Sequence, residues 1–155
     1  MKIDVSGLRQ VQEMARRSSL VKERIRDLSP IAKDLAQIVR DDIDRRFQLS
    51  PSTEVGGVVF GGVSWNKLTD YTLKRHPHRK GGKVLIDTGE MRQECISDSG
   101  MGNRYYTQVP GFFTYILRNK KAVENQEKRP ILVAHRELLD EVATKTLDYA
   151  LEEES

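Results

Sequence analysis

The sequence lacks most features that identify a secreted, membrane or metal-binding protein. Its one cysteine, Cys95, has no second thiol with which to form an internal disulfide or a cysteine-based zinc site. No apolar run approaches the roughly 18 to 20 residues of a membrane-spanning helix. The first residues, Met1 to Asp4, carry no signal-peptide hydrophobic region. We therefore expect a soluble protein made in the cytoplasm, with Cys95 as a small buried side chain.

Aromatic residues are scarce at 6%, and hydrophobic residues reach 37% against 32% charged residues. A length of 155 residues fits one domain, which we place over residues 1–155. The polar composition predicts either a core of modest size or a surface that partners cover in part. The net charge of +3 is too small to indicate nucleic-acid binding by itself.

Apolar residues at helical spacing dominate the first third of the chain. Ser6 is expected to cap a first helix after a short N-terminal arm, and the helix either breaks at Ser18-Ser19 or continues to Leu28. Ser29-Pro30 marks the start of a second helix, with Ser at the N-cap and Pro at the first helical position. The second helix has the clearest apolar face of the chain: Ile31, Leu35, Ile38, Val39, Ile43 and Phe47. The sequence therefore predicts a helical part over residues 1–49.

Glycine-rich and basic loops are predicted over residues 50–83. The segment Gly56–Gly62 is apolar and β-prone between two glycine pairs, which indicates either a hairpin tip or a mobile loop. Residues 67–75 have weak helical character.

A strand region is predicted over residues 84–133. Val84-Leu85-Ile86 is interpreted as a buried strand, followed by a short helix or strand through Met91, Cys95 and Ile96, and a hairpin is expected around Pro110-Gly111. Residues 119–128 are polar and are expected to form a loop. Residues 136–153 then predict a C-terminal helix, so the order indicates an α+β fold: N-terminal helices packed on a small antiparallel sheet and closed by this last helix.

The largest charge asymmetry lies between Lys67 and Lys83, where the sequence has six basic residues and a single acidic one, Asp70. A DNA backbone or an acidic protein surface would suit this segment, and so would solvent alone. The candidate residues for contact with DNA or a partner are Lys74, Arg75, Arg79, Lys80 and Lys83.

Asp87-Thr88-Gly89 follows the apolar residues 84–86 and resembles the active-site loop of the retroviral type of aspartic protease. In those dimers each subunit supplies one Asp, and the two carboxylates share a proton to act on a water. That fold also needs a later apolar pair followed by glycine, whereas Ile131-Leu132 is followed by Val133-Ala134. The alternative is a turn in which Asp87 or Thr88 caps a helix and Gly89 supplies a permissive backbone. The missing glycine and the helical N-terminal third favour the turn, so we predict no catalytic residue.

Metal, nucleotide and cofactor sites are not predicted. His76 and His78 flank Pro77 but have no carboxylate or cysteine at ligand spacing, and His135 is far along the chain. The glycine pairs lack the Gly-Lys-Ser/Thr of a phosphate loop, and there is no Gly-x-Ser-x-Gly elbow. We therefore expect no cofactor, no metal, no membrane contact and no small-molecule substrate.

A longer pattern extends over most of the chain. It consists of Trp65-x-x-Leu68-x-x-x-Thr72, then Val84-Leu85-Ile86-Asp87-Thr88-Gly89-x-Met91, then Arg129-Pro130-Ile131-Leu132 ahead of the C-terminal helix. In order and spacing it resembles the phage virion morphogenesis family, the tail-completion proteins of Mu-like and other contractile-tailed phages.

The resemblance covers roughly residues 1–153, with some departures. Met91 stands where the family usually has Leu, and Ile131 stands where it has Phe. The family's Tyr-Ala-x-x-His-x-x-Gly element is not recognisable around residues 113–119, and Gly56–Gly62 is interpreted as an insertion.

The resemblance implies a non-enzymatic virion protein: a head–tail connector (neck) or tail-completion protein that forms a ring, such as a hexamer or dodecamer, at the head–tail junction. It also implies a protein made in the host cytoplasm. The implied partners are further copies of the chain, other neck and tail proteins, and the genomic DNA in the channel. The position in the neck stays open between adaptor, stopper, terminator and collar. The motif residues would be structural: Trp65, Leu68, Thr72, Thr88, Gly89, Arg129 and Pro130.

Two other functions are kept as alternatives. One is the aspartic protease dimer, and the other is a small DNA-binding module, for which a sequence pI of about 9.0 is borderline. Against the DNA-binding module, the basic residues between Lys67 and Lys83 are spread over a broken loop and not along one recognition helix.

Overall fold

A computed structural model describes residues 5–97, 104–108 and 111–152 of the chain. In these residues it contains six α-helices, two antiparallel two-stranded sheets and two short 3₁₀ turns, Ser29–Ile31 and Pro77–Arg79. The helices are α1 (Val5–Arg26), α2 (Ala32–Gln48), α3 (Asp70–Arg75), α4 (Glu90–Ile96), α5 (Lys120–Asn125) and α6 (Arg136–Leu151). The strands are β1 (Gly56–Val58), β2 (Ser64–Asn66), β3 (Arg104–Gln108) and β4 (Phe112–Ile116). The predicted α+β class is confirmed.

Helix α2 is the centre of the core, as its apolar stripe predicts. Leu35, Ile43 and Phe47 have no exposed surface, and Ile38 is the one member of the predicted stripe that is partly exposed. The ring of Phe47 lies edge-on to Trp65, with 5.5 Å between ring centroids. The buried cluster around α2 takes residues from every later part of the chain: Val59, Trp65, Val84, Cys95, Ala122, Ile131 and Leu138. The free energy gained by burying this apolar area is the main contribution to the stability of the domain.

Each sheet is a single hairpin. Strands β1 and β2 pair in the register Gly57↔Trp65, so the segment Gly56–Gly62 forms one arm and the turn of a hairpin. Strands β3 and β4 pair in the register Tyr106↔Thr114, which agrees with the predicted hairpin around Pro110-Gly111, although Pro110 lies outside the described residues.

The second hairpin is attached to the end of α1 through Gly111. The Gly111 N–H donates to the Arg26 carbonyl at 2.7 Å, and the residue has a φ of 68°. A Cβ at this position would lie 2.7 Å from the Ile25 carbonyl oxygen, so the close approach and the positive φ both require glycine.

Helix α6 closes the domain by packing against α1 and α2. The Tyr149 hydroxyl donates to the Asp27 carbonyl at 3.2 Å, and the Lys145 ammonium lies 3.0 Å from the Asp34 carboxylate. Leu138 and Ala150 are buried on the packed face. The C-terminal half of α6 therefore lies beside the start of α2.

The predicted strand region 84–133 is wrong over much of its length. Val84-Leu85-Ile86 is a turn, because Leu85 has a φ of 61° and Lys83 forms an isolated bridge with Ile86. Only Val84 of the three is buried. An apolar run suits a buried strand and a buried turn equally, so its composition does not distinguish them.

Helices α4 and α5 also lie inside that region. The segment 119–128, predicted as a loop, contains α5, which begins where the Asn119 side chain accepts the Ala122 N–H at 2.9 Å. This is a standard N-cap, and the helix is short enough that only Ala122 is buried.

Two predictions at the N-terminus are also wrong in detail. Ser6 lies within α1 and does not cap it, since the helix begins at Val5. Of the two alternatives for the first helix, the continuous one is observed, and α1 ends at Arg26. Ser29-Pro30 starts a 3₁₀ turn, and the α-helix begins at Ala32. The expected arm at residues 1–4 lies outside the described residues, as does the end of the predicted C-terminal helix at residue 153.

Candidate interaction surface and the motif that supports it

Two motif segments that are far apart in the sequence meet at β2. The Trp65 indole N–H donates to the Pro130 carbonyl at 2.8 Å, while the Trp65 side chain has no exposed surface. The Arg129 guanidinium donates to the carbonyls of Asn66 at 2.9 Å and Lys67 at 3.1 Å. These three hydrogen bonds fix the chain before α6 to the strand β2 and the residue that follows it.

Leu68 and Thr72 lie just beyond this junction and position α3. Leu68 is buried, and its N–H donates to the Thr53 carbonyl at 2.7 Å. Thr69 is the N-cap of α3, because its side chain accepts the Thr72 N–H at 3.2 Å. The Thr72 hydroxyl contacts the Thr69 hydroxyl at 2.8 Å, so Thr72 supports the cap.

Asp87-Thr88-Gly89 forms the turn that begins α4. Gly89 is the N-cap residue with a φ of 83°, and the Thr88 hydroxyl accepts the Glu90 N–H at 3.4 Å. The Asp87 carboxylate contacts His78 at 3.0 Å and Arg79 at 3.6 Å. These contacts favour the turn interpretation over the protease loop, because the carboxylate is already engaged by the His78 ring and the Arg79 guanidinium of its own chain.

The motif residues Leu68, Thr88, Gly89 and Arg129 line one cleft of about 380 Å³. Burial, and then the nearby charge of Arg79, lowers the pKa of the Arg129 guanidinium. Acids line the cleft as well, namely Asp87, Glu90 and Glu124. Because its charges are mixed, the cleft favours no ion of either sign, and we interpret it as the support of the loops around it.

The basic segment between Lys67 and Lys83 supplies exposed side chains outside this cleft. Lys74 and Arg75 occupy the last turn of α3, and Lys80 and Lys83 follow the 3₁₀ turn, all exposed. Lys67 precedes α3 and is also exposed. We call Lys67, Lys74, Arg75, Lys80 and Lys83, together with Tyr71, the basic surface.

Two members of the basic surface, Arg75 and Lys83, are each held by a contact with another residue. The Arg75 guanidinium lies over the Tyr71 ring at 5.7 Å and donates to the Tyr71 hydroxyl at 3.2 Å, while the Tyr71 side chain is 67% exposed. The Lys83 ammonium donates to the Gln48 carbonyl at 3.1 Å, which places this surface at the C-terminal end of α2.

Arg79 differs from the other basic candidates. Its side chain is only 16% exposed, it pairs with Asp87, and its guanidinium donates to the Lys83 carbonyl at 3.4 Å. Its own carbonyl accepts the Thr53 hydroxyl at 2.8 Å. Arg79 therefore shapes the loop from inside and is less available to a partner than the exposed lysines.

The histidines do not converge. The rings of His76 and His78 lie edge-on at 5.9 Å, whereas His135 contacts Asp42 at 2.5 Å, close to α2. In the described parts of the chain, no group of three His, Cys, Asp or Glu side chains is placed to hold a metal ion. No helix among the same residues has the length and apolar character needed to cross a bilayer.

Sequence reasoning missed a buried charged network around Arg46. Its guanidinium donates to Asp42 at 2.6 Å, to the Phe60 carbonyl at 2.8 Å, and also to the Ile131 carbonyl. Asp42 in turn contacts His135, so the network joins α2 to the β1–β2 turn and to the start of α6. A signal was present: Asp42 and Arg46 continue the spacing of Leu35 and Val39 along the buried face. Arg40 of α2 is also buried, and its guanidinium lies 5.4 Å from the centroid of the Tyr105 ring.

No protein-family model, no curated protein sequence and no solved structure significantly matches this chain.

Proposed function

We propose that this protein is a structural component of a tailed-phage virion, a head–tail connector or tail-completion protein that assembles as a ring at the head–tail junction. The proposal includes no catalytic activity and no cofactor. Its partners are further copies of the chain and other neck and tail proteins.

One observation carries this proposal. The segments that make up the resemblance, around Trp65, Thr88 and Arg129, lie on different parts of the chain but share one junction and one cleft. Residues that meet in space and hold each other's backbone behave as one structural unit. The hydrogen bonds that Trp65 and Arg129 donate go to backbone carbonyls and to Asn125, which suits a structural role.

The exposed apolar residues add support. Phe112 on β4 and Tyr71 on α3 are 60% and 67% exposed, and three leucines of α6 are more than half exposed. A chain with a small core that leaves large apolar side chains outside suits a subunit whose neighbours cover it.

The direct test uses the phage that encodes the chain. Disrupting the gene is expected to leave heads and tails that fail to join or tails of incomplete structure, as seen by electron microscopy. A plasmid copy restores infective particles, and the chain is then found by mass spectrometry in purified virions. Complete, infective particles from the disrupted phage would overturn the proposal.

A matched pair of variants sharpens this test. Arg129→Ala removes the donor to Asn66 and Lys67, so we expect it to fail in complementation, whereas the exposed neighbour Lys128→Ala should complement fully. Light scattering of the purified protein, alone and mixed with the head or tail proteins, then measures whether a ring forms. A ring formed alone or with virion proteins is expected, and a tight dimer with peptide-cleaving activity would favour the protease.

A further inference from the structure

Helix α6 presents an apolar stripe that the described residues leave uncovered. Leu139, Leu147 and Leu151 are 55%, 54% and 65% exposed, and the exposed Ala143 completes their four-residue spacing along the helix. We call these four residues the α6 stripe. Contiguous exposed apolar surface of this kind marks a contact site for another molecule.

Acidic side chains flank the α6 stripe. Asp140 and Asp148 are both exposed on the solvent side of the helix. The nearest cation of α6 to Asp140 is Arg136 at 3.6 Å, but both side chains are mostly exposed, so this pair is weak. The other cation of the helix, Lys145, is directed to Asp34 on α2 at 3.0 Å. The edge of the stripe is therefore net acidic.

The basic surface matches this stripe in both charge and apolar character. Lys74 and Lys80 are exposed cations, and the exposed ring of Tyr71 lies three positions before Lys74 on α3. Tyrosine and arginine are the side chains that most often supply binding energy at protein interfaces, and Arg75 is already held against Tyr71. A nucleic-acid backbone would use the cations but would leave the ring and the leucines of α6 uncovered.

The two surfaces are separate patches of the subunit. Helix α6 runs antiparallel to α2, because Glu141 pairs with Arg45 at 3.4 Å and Lys145 pairs with Asp34 at 3.0 Å. The stripe therefore extends along α2, and Leu147 and Leu151 lie towards its N-terminal end, whereas the bond from Lys83 to Gln48 places the basic surface at the C-terminal end. Two different, complementary patches on one subunit permit head-to-tail contacts, and such contacts generate a ring when the rotation closes.

We propose that the basic surface of one copy of this chain binds the α6 stripe and its acidic edge on a second copy, head to tail. This inference rests on the proposed function and names the contact that builds the ring. Tyr71 packs against the leucines, and Lys74 and Lys80 face Asp140 and Asp148.

Two variants in which the charge of one surface is reversed test the contact. Lys74→Glu/Lys80→Glu makes the basic surface acidic, and Asp140→Lys/Asp148→Lys makes the edge of the α6 stripe basic. Each variant alone presents like charges at every contact and should remain monomeric in sedimentation velocity under conditions where the wild-type chain assembles. Mixed in equal amounts, each variant offers the surface that the other now needs, so assembly should return. Failure of the mixture to assemble, or assembly of either variant alone to the wild-type extent, would overturn the proposal.

A disulfide test detects the same contact when the interaction is weak. In the variant Tyr71→Cys/Leu147→Cys, one new thiol lies on the basic surface and the other on the α6 stripe, while Cys95 is buried and does not compete. Mild oxidation at high protein concentration should give a ladder of cross-linked multimers on a denaturing gel. The two single variants serve as controls and can give dimers at most. A chain that stays monomeric at its highest soluble concentration and gives no ladder contradicts the inference.

DNA binding by the basic surface is the competing outcome. If fluorescence anisotropy shows salt-dependent binding of duplex DNA that Lys74→Glu/Lys80→Glu abolishes, and Asp140→Lys/Asp148→Lys leaves assembly unchanged, the surface serves DNA and this proposal is wrong. The proposed function fails separately. If the chain is found in virions but the two charge variants do not assemble when mixed, only the proposed contact is wrong. If the chain assembles through this contact but is absent from virions, only the virion assignment is wrong.

Discussion

The indole nitrogen of Trp65 lies 2.8 Å from the carbonyl oxygen of Pro130 and donates a hydrogen bond to it in the core. The bond joins β2 to the segment that leads into α6. Because Trp65 also packs edge-on against Phe47 of α2, one side chain connects the central helix, a hairpin and the entry to the last helix. The loops that present the basic surface begin just after this point.

Trp65→Phe should destabilise the fold by leaving the Pro130 carbonyl without its donor. An unpaired buried polar group costs about 1 to 3 kcal/mol, and the smaller ring adds a cavity cost. The free energy of unfolding, measured with urea and followed by circular dichroism, checks this, since the variant has no tryptophan fluorescence. The control is Tyr71→Phe, which removes an exposed hydroxyl and should change stability by less than about 0.5 kcal/mol. Equal stability of the two variants would show that the indole bond contributes little.

Arg46→Met should be among the most damaging single changes in α2. Arg46 has no exposed surface and donates to Asp42 and to the carbonyls of Phe60 and Ile131. Its loss leaves buried acceptors unpaired and should cost about 3 to 5 kcal/mol in the free energy of unfolding.

The neighbouring Arg45→Met is the matched control for Arg46→Met. Arg45 is half exposed and pairs with Glu141 on the surface, so its replacement should cost less than about 1 kcal/mol. Adding Asp42→Asn to Arg46→Met removes the uncompensated carboxylate and should recover part of the loss. Similar thermal denaturation curves for both single methionine variants would contradict the role assigned to the network.

The fold was predictable where a pattern repeats over several turns. The stripe from Ile31 to Phe47 predicted α2 because its residues recur on one face over more than four turns. Helix α5 was missed because six residues give too little repetition, and its start depends on a bond between the Asn119 side chain and a backbone N–H. The turn at residues 84–86 was missed because the positive φ of Leu85 is imposed by its surroundings and is unusual for a leucine.

The candidate surface was likewise predictable from the sequence only in part. The charge between Lys67 and Lys83 can be counted in the sequence, and four of the five basic candidates named there are exposed, Arg79 being the exception. The contact between Asp42 and His135 joins residues 93 positions apart, so no local spacing reports it. The same is true of the α6 stripe, whose four-residue spacing identifies a helix but not which of its apolar residues remain exposed.

Stability should fall at alkaline pH because of Cys95. Burial, and to a smaller extent the charge of Glu94, raises the pKa of this thiol from 9.0 to about 12. As the pH rises past 9.0, the unfolded chain loses the thiol proton while the folded chain keeps it, so the difference favours unfolding between these two values. The free energy of unfolding of wild type should therefore drop more between about pH 7 and about pH 10 than that of Cys95→Ala. Parallel pH profiles would contradict this, as would rapid modification of Cys95 by a thiol reagent in the folded protein.

Asp87→Asn should leave folding and assembly nearly unchanged. The side chain is 45% exposed and so is solvated in part, although Arg79 beside it is mostly buried, and losing the charge should cost about 1 kcal/mol or less. An amide oxygen can still accept from either partner, and the turn that starts α4 depends on Gly89, whose φ of 83° suits glycine. Gly89→Ala is therefore the contrasting variant: it keeps Asp87 but strains the turn, and it should lower the melting temperature more than Asp87→Asn does.

Both variants and wild type should be equally inactive in a peptide-cleavage assay over acidic to neutral pH. A cleavage activity in wild type that Asp87→Asn abolishes would instead assign this carboxylate to catalysis, because in a homodimer the substitution replaces both carboxylates that share the proton.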